Sequence, residues 1–330
     1  MRKGFTFLEM IFVIVIVGIL AKFGTNLLFT AYEASISSKI NNDLQSDSSI
    51  TLRQISNRLQ YRIKDSVVAR VAGGGPIALT SAGGNAFTVL EWVGYDIDGL
   101  LGTNRAGVLG EPAFNRPTWS GFIDVEDGAG VLAVGAIDSA PLTAAPFAYL
   151  SSPGTDTGLA NGVITSLSVN GSTFGTSAIF FTGANSNVLT DYGWDGVAQI
   201  QQSITAAHRI QSYPGFVTRL ADAAFIAAGV TSSFTGTDIY ENYKLAWTAY
   251  ALERRDIDLD GDEDLVLYYD YQPWLGENYL ANGRRILLMQ NVDTFKFTAV
   301  GDTIKLQVCI DQENFLTGGM YSICKETAVF

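Results

Sequence analysis

The N-terminus of the chain is an apolar run that contains one acidic residue. From Phe5 to Ala21 only Thr6 and Glu9 are strongly polar, and after one lysine the apolar residues continue to Phe29. At about 1.5 Å per residue, a helix over this run is long enough to cross a hydrocarbon layer of about 30 Å. A carboxylate inside lipid costs on the order of 2.5 kcal/mol or more, so Glu9 requires a partner.

The residues around this carboxylate form a specific pattern, Lys3-Gly4-Phe5-Thr6-Phe7-Leu8-Glu9. The string resembles the class III signal of type IV prepilins and type II secretion pseudopilins. The resemblance implies that a prepilin peptidase cuts after Gly4 and that the new N-terminal residue, Phe5, is methylated. It also implies that Glu9 neutralises the N-terminal amine of a neighbouring subunit in a filament.

Two other interpretations compete with this one. A secretory signal peptide has an apolar core of roughly 7–15 residues, whereas this run is longer, holds Glu9, and lacks a clear small-x-small site straight after it. An ordinary membrane anchor leaves Glu9 without a role. We therefore favour the prepilin interpretation, because it alone accounts for the acidic residue.

Composition limits the class of protein. The chain has 330 residues, of which 47% are hydrophobic, and its net charge is −12. Removal of residues 1–4 would leave 19 basic and 33 acidic residues, a net charge of −14. Such a surface argues against nucleic acid as a partner, because that binding is driven by neutralisation of phosphates. It suits an extracytoplasmic domain or one that collects cations.

Apolar residues at helical spacing continue after the first run. They step by four residues from Ile36 to Leu44 and by three or four from Leu52 to Val67, which predicts that an amphipathic helix over residues 30–72 extends the membrane segment, residues 5–29. Gly73-Gly74-Gly75-Pro76 is the predicted stop. Arg53, Arg58, Arg62 and Lys64 are expected on the solvated face. The pilin resemblance implies the same plan, and the lack of a mid-helix proline favours a pseudopilin or minor pilin over a major pilin.

Residues 73–330 read as a β-rich domain, so the predicted fold class is α+β: a long helix packed on a large, mainly antiparallel β domain. Residues 77–235 are the expected insert, with a further helix predicted at Asp191–Ile210 or Pro214–Ala228. Arg284–Phe297 followed by Asp302–Val308 resembles the C-terminal sheet of J-type minor pseudopilins and PilW-like minor pilins. The predicted strands are Ala86–Tyr95, Gly121–Val125, Val131–Val134, Gly162–Val169, Ser177–Thr182, Asn242–Glu253, Asp264–Tyr271, Arg284–Asn291, Thr294–Val300 and Thr303–Ile310.

The chain has two cysteines, Cys309 and Cys324. An even number of cysteines in an exported chain favours one disulfide over two free buried thiols, since the N-terminal segment implies an oxidising compartment.

An acidic run provides the strongest chemical motif. Five aspartates occupy alternate positions, with Gly261 among them: Asp256, Asp258, Asp260, Asp262 and Asp264. Their mutual repulsion is severe without a cation, and calcium takes 6–8 oxygen ligands in irregular geometry. Leu267 stands where an EF-hand has its bidentate glutamate, so the run predicts a structural calcium loop between strands, with Asp270 or Glu277 as a further candidate ligand. The alternative is a solvated acidic turn.

Catalytic motifs are weak in this sequence. His208 is the only histidine, and no G-x-S-x-G or G-K-[ST] motif accompanies it. Tyr268, Tyr269, Tyr271 and Trp274 could bind a ligand, but such clusters are more often core. We therefore expect a protein that is not an enzyme.

These observations lead to an expected function. The chain is expected to be a minor pilin or pseudopilin, inserted once in the inner membrane with its C-terminal domain in the periplasm or outside the cell. Its expected partners are the prepilin peptidase, the membrane, and other pilins or pseudopilins through the N-terminal helix. The bulky domain suits the tip of a type IV pilus or type II secretion pseudopilus. The alternative is an exported adhesin, ligand-binding module or enzyme that uses the same anchor.

Overall fold

The structure is a computed structural model of the whole chain. It describes residues 6–71, 73–82, 87–102, 117–122, 150–151, 155–183, 186–196, 207–209, 219–220, 242–314 and 318–330. Gly4, Phe5 and the predicted strand Val131–Val134 therefore lie outside the described residues.

A single helix, α1 (Phe7–Gln60), opens the chain. Its residues up to Tyr32 are exposed, whereas the side facing the domain is buried from Ile40 to Leu59. The long run without proline or a glycine pair permits this continuity. Ser48 and Ser49 do not interrupt the helix, because their hydroxyls donate to the carbonyls of Leu44 and Gln45 one turn earlier.

The main sheet has six antiparallel strands in the order β11-β10-β9-β3-β1-β2. Its two faces are built by strict alternation: Leu90 and Trp92 face α1, while Val89 and Val93 face the opposite layer. The strands are β1 (Val68–Arg70), β2 (Ile77–Ala78), β3 (Val89–Gly94), β9 (Thr248–Arg255), β10 (Asp264–Tyr271) and β11 (Arg284–Met289).

A second antiparallel sheet also packs on α1. It consists of β12 (Val292–Val300), β13 (Thr303–Asn314) and β14 (Gly319–Val329), in that order. The helix is buried along one face, and one core joins this face to both sheets. Burial of this core is the main stabilising term of the domain.

The remaining described elements are short. A three-stranded sheet in the order β6-β5-β8 is formed by β5 (Ala178–Phe181), β6 (Ala207–Arg209) and β8 (Tyr243–Ala246), and a two-stranded one by β4 (Leu150–Ser151) and β7 (Arg219–Leu220). The short helices are α2 (Ile97–Leu101) and α3 (Thr157–Leu167).

The α+β class and the antiparallel sheet are confirmed, and so are most strands of the C-terminal half. Strand β10 has the predicted bounds, and β11, β12 and β13 differ from prediction at their ends only. The predicted strand Asn242–Glu253 is divided at Trp247 into β8 and β9. Strand β14 was not predicted. The disulfide is present between Cys309 and Cys324, which lie directly opposite each other on β13 and β14.

Three other predictions were wrong. The helix ends at Gln60 rather than near residue 72, because the residues that follow form a 3-10 turn and then strand β1. Residues 162–169 are not a strand: Asp156 caps α3 by accepting from Leu159 N at 3.0 Å. Strands at 207–209 and 219–220 replace part of each predicted helix.

The range 77–235 is not a pure insert. It contributes β3, which pairs with β1 on one side and β9 on the other in the middle of the main sheet. The part of the range that follows β3 supplies β5, which packs on the face of that sheet opposite α1, and the helices α2 and α3, which pack with β5 and β8 in a separate core.

Candidate functional site

The N-terminal end of α1 is held by a reciprocal cap between Thr6 and Glu9. Glu9 N donates to Thr6 Oγ1 at 3.4 Å, and Thr6 N donates to Glu9 Oε2 at 3.3 Å. Each group thereby satisfies one of the helix's free N–H donors. Glu9 consequently has a partner within its own chain, so its presence no longer separates an ordinary membrane anchor from a prepilin.

The following part of α1 presents an apolar surface on all sides. Phe7 to Phe29 spans about 33 Å at the helical rise, and every residue in it is exposed. Among the described residues, α1 is the helix long and apolar enough to span a membrane, and none of its most apolar stretch is covered by the domain. The helix is therefore compatible with a single-pass membrane anchor.

The second half of α1 is tied to the domain by hydrogen bonds along its length. Tyr321 Oη donates to Ser37 Oγ at 3.0 Å, and Lys325 Nζ donates to Gln45 O at 2.9 Å. Strand β14 therefore runs in the same direction as the helix. Thr51 Oγ1 adds a bond to Leu288 O at 3.3 Å. These contacts hold the second half of α1 on the β domain.

The acidic loop joins β9 to β10. One carboxylate oxygen from each of Asp256, Asp258 and Asp260 lies within 4.8 Å of the others. Two oxygens bound to one calcium ion at 2.3–2.6 Å are at most about 5 Å apart, so these three are close enough to share an ion. Asp262 and Asp264 do not belong to this group, so it contains three of the five predicted carboxylates.

Asp264 is the buried member of the run. It begins β10 with 3% of its surface exposed, and its Oδ2 is a buried atom without a hydrogen-bond partner. Burial raises the pKa of Asp264, the Asn291 backbone N–H opposes the shift, and Asp258, Asp260 and Asp256 raise it further.

The two further candidate ligands have other roles. Asp270 accepts from Val169 N at 2.6 Å, Asn170 N at 2.7 Å and the hydroxyls of Ser168 and Ser172. Glu277 accepts from Gln272 N at 2.7 Å. Both carboxylates hold loops in place and lie outside the acidic group.

The aromatic cluster is core, as expected. Tyr268, Tyr271 and Trp274 are buried in the layer opposite α1. Tyr271 Oη donates to Glu91 Oε1 at 2.8 Å, and Glu91 also pairs with Arg70. Burial raises the pKa of Glu91, while Arg70 opposes that shift. This cluster is internally bonded and serves the fold.

Sequence reasoning missed several residues. Thr6 could have been found, because Thr-x-x-Glu before an apolar run is a capping signal. Arg62, expected in solvent, is 5% exposed and bridges α1 to the second sheet. His208 lies on β6, where it pairs with Ile179.

No protein-family model, curated protein or solved structure matches the chain.

Proposed function

We propose that the chain is a non-catalytic subunit of a type IV pilin-like filament, a minor pilin or pseudopilin. One observation carries the proposal: a 54-residue helix has an apolar, uncovered first half and a second half built into a β domain. A helix of this form serves first as a membrane anchor and later as a packing element between subunits. Lys3-Gly4-Phe5 and Glu9 give the anchor a processing signal.

The membrane stage follows from the physics of the anchor. The uncovered apolar segment is stable in lipid, where its side chains avoid water. The basic residues before it favour a cytoplasmic N-terminus. The β domain then lies on the opposite side of the inner membrane. Such a compartment also permits the disulfide that joins β13 to β14.

The filament stage requires the apolar segment to leave the lipid. Packing against the same segments of neighbouring subunits keeps it out of water. Within the described residues, the chain's own domain does not cover this segment. In the assembled state Glu9 pairs with the N-terminal amine of a neighbour, which replaces its weak contacts to Thr6. A bulky domain is accommodated best at the tip, where fewer neighbours surround it.

Processing and assembly together test this function. The protein is extracted from the membranes of cells that contain the prepilin peptidase, and the mass of its N-terminal peptide is measured. We expect a peptide that begins at N-methylated Phe5, and the same form in the sheared filament fraction. An intact Met1 end, or protein confined to the membrane fraction while filaments form normally, would contradict the proposal and favour an anchored adhesin, ligand-binding module or enzyme.

A further inference from the structure

Strand β11 leaves one edge of the main sheet open. Within the described residues it pairs with β10 alone, and its residues from Arg284 to Leu287 are exposed. Ile286 and Leu287 keep 44% and 41% of their surface in solvent, although they occupy the middle of a strand. An open edge with exposed apolar side chains is a surface to which another chain can bind.

A groove lies beside this edge, between β11 and α1. It has a volume of about 460 Å³, and its apolar lining residues are Leu44, Ile50, Leu287, Leu288, Met289 and Ile310. Ile50 is 52% exposed, so the helix side of the groove is open to solvent as well. The groove therefore offers apolar surface to a partner from both α1 and β11.

Arg285 supplies a free positive charge next to the groove. It lies two residues before Leu287, on the same face of β11 and about 7 Å away. Its exposed guanidinium forms no hydrogen bond or ion pair within the described part of the chain. Asp47 and Asp311 also line the groove, so an acidic partner is favoured only at the Arg285 side.

The loop between β9 and β10 presents a surface that is complementary to this groove. Leu259 in its middle is 87% exposed and has an aspartate on each side. Asp256 holds the loop in place, because its carboxylate accepts from Leu259 N at 2.7 Å and from Gly261 N at 3.2 Å. Asp258 is exposed and accepts no hydrogen bond within the described residues. An apolar side chain next to a free carboxylate matches an apolar groove next to a free arginine.

We propose that the groove receives the β9–β10 loop of a second copy of the chain. Leu259 of one copy then packs against Leu287 and Ile50 of the other, and its Asp258 carboxylate pairs with the other copy's Arg285. The carboxylate is within reach, because neighbouring residues of a chain are about 3.8 Å apart and both side chains extend beyond their backbones. Apolar contact and opposite charge thus coincide at one site.

The topology allows the two copies to bind each other reciprocally. Loop and groove adjoin within one copy, since Leu265, just after the loop, pairs with Met289 of the groove. A twofold axis between the copies places each loop on the other copy's groove, which is an isologous interface. An axis parallel to α1 keeps both anchors pointing into one membrane, and confinement there favours even a small contact. This inference needs the membrane anchor and does not depend on the filament function.

Cross-linking in membranes tests the contact directly. Two differently tagged full-length copies are produced together, one with Leu259→Cys and the other with Leu287→Cys, and the disulfide between them is measured after mild oxidation. The native cysteines do not compete, because they are bonded to each other. We expect a cross-linked dimer that carries both tags. In the matched control Val300→Cys, 60% exposed on β12, replaces Leu287→Cys and should give no cross-link above background.

Charge reversal in the same assay tests the ion pair. Asp258→Arg in the Leu259→Cys copy, or Arg285→Glu in the Leu287→Cys copy, should slow cross-linking about tenfold or more, because each brings like charges together. Both reversals combined restore opposite charges and should regain most of the rate. Lys305→Glu, the reversal of an exposed charge on β13, is the control and should leave the rate unchanged.

Two results would overturn the interface. One is equal cross-linking of Leu259→Cys to Leu287→Cys and to Val300→Cys, which would mean that the copies meet only by random collision. The other is a combined charge reversal that cross-links no faster than the single reversals, since a true pair is rescued when both charges are exchanged.

Discussion

Arg62 Nη2 donates to the carbonyl oxygen of Asp302 at 2.5 Å, which joins the end of α1 to the turn between β12 and β13. The same guanidinium donates to Leu59 O at 2.8 Å and to Phe330 O at 3.4 Å. The buried side chain of Arg62 thus connects the end of α1 with the β12–β13 turn and with Phe330, the residue that follows β14.

Arg62→Met should lower the free energy of unfolding by about 2–3 kcal/mol, because it removes three hydrogen bonds that the buried guanidinium donates to backbone carbonyls. Denaturant unfolding of the detergent-solubilised protein measures the change. Arg53→Met is the matched control, since Arg53 is exposed on the same helix and its loss should cost less than about 0.5 kcal/mol. Equal stability of the two variants would contradict the bridging role.

Asp270→Asn should destabilise the domain by about 2–3 kcal/mol. One oxygen of Asp270 accepts from the backbone N–H groups of Val169 and Asn170. In asparagine one carboxylate oxygen is replaced by an NH2 group, which cannot accept, so the amide cannot bond to all the donors that surround Asp270. Asparagine tolerates the positive φ of 59° at this position, so the loss reports the hydrogen bonds rather than backbone strain.

The control for that change is Asp293→Asn, an exposed aspartate on β12. Thermal melting compares the two variants, and limited proteolysis reports release of the segment 168–172. If Asp270→Asn and Asp293→Asn have the same melting temperature and the segment 168–172 stays protected from the protease, the proposed anchoring by Asp270 is wrong.

Stability should fall as pH rises through the range set by Asp96. Burial raises the pKa of Asp96 to about 6, hydrogen bonds from Gly99 N and Trp119 Nε1 oppose the shift, and Asp98 adds to it. The folded protein binds this proton more tightly than the unfolded chain, whose aspartate has a pKa of about 3.9. The stabilisation is therefore complete below about pH 4 and is lost as pH approaches 6, by up to about 3 kcal/mol.

Asp96→Asn isolates this contribution from the other buried acids. Chemical unfolding is measured at several pH values between 4 and 7 for both proteins. The difference in unfolding free energy between them should shift in favour of the variant as pH rises, because asparagine does not ionise. A difference that stays constant with pH would contradict a raised pKa at Asp96.

Prediction from sequence succeeded where a local signal and the tertiary environment agree. Strand β10 begins straight after the Asp-Gly loop, and its apolar residues alternate between two buried faces, so its bounds were found. The cysteine pair followed from the count alone. Residues 162–169 were misjudged because Val163, Ile164 and Thr165 favour strands, whereas the Asp156 cap and burial of Ile164 impose a helix.

Other features depend on contacts between distant segments, which spacing does not reveal. Ile63 and Val67 fit the helical stripe, but the helix ends at Gln60, since pairing of β1 with β3 takes the chain away from it. The acidic run was recognised by its alternation. The burial of Asp264 depends on the β11–β12 turn that covers it, which lies far along the chain.

Filament incorporation of Glu9→Leu tests the central claim most directly. Glu9→Leu and the matched control Glu33→Gln, a half-buried carboxylate further along the same helix, are each produced in cells that assemble the filament, and the protein is quantified in membrane and sheared fractions. Glu9→Leu should insert in the membrane at the normal level yet be lost from filaments, while Glu33→Gln assembles normally. Normal incorporation of Glu9→Leu would contradict the assignment as a pilin-like subunit.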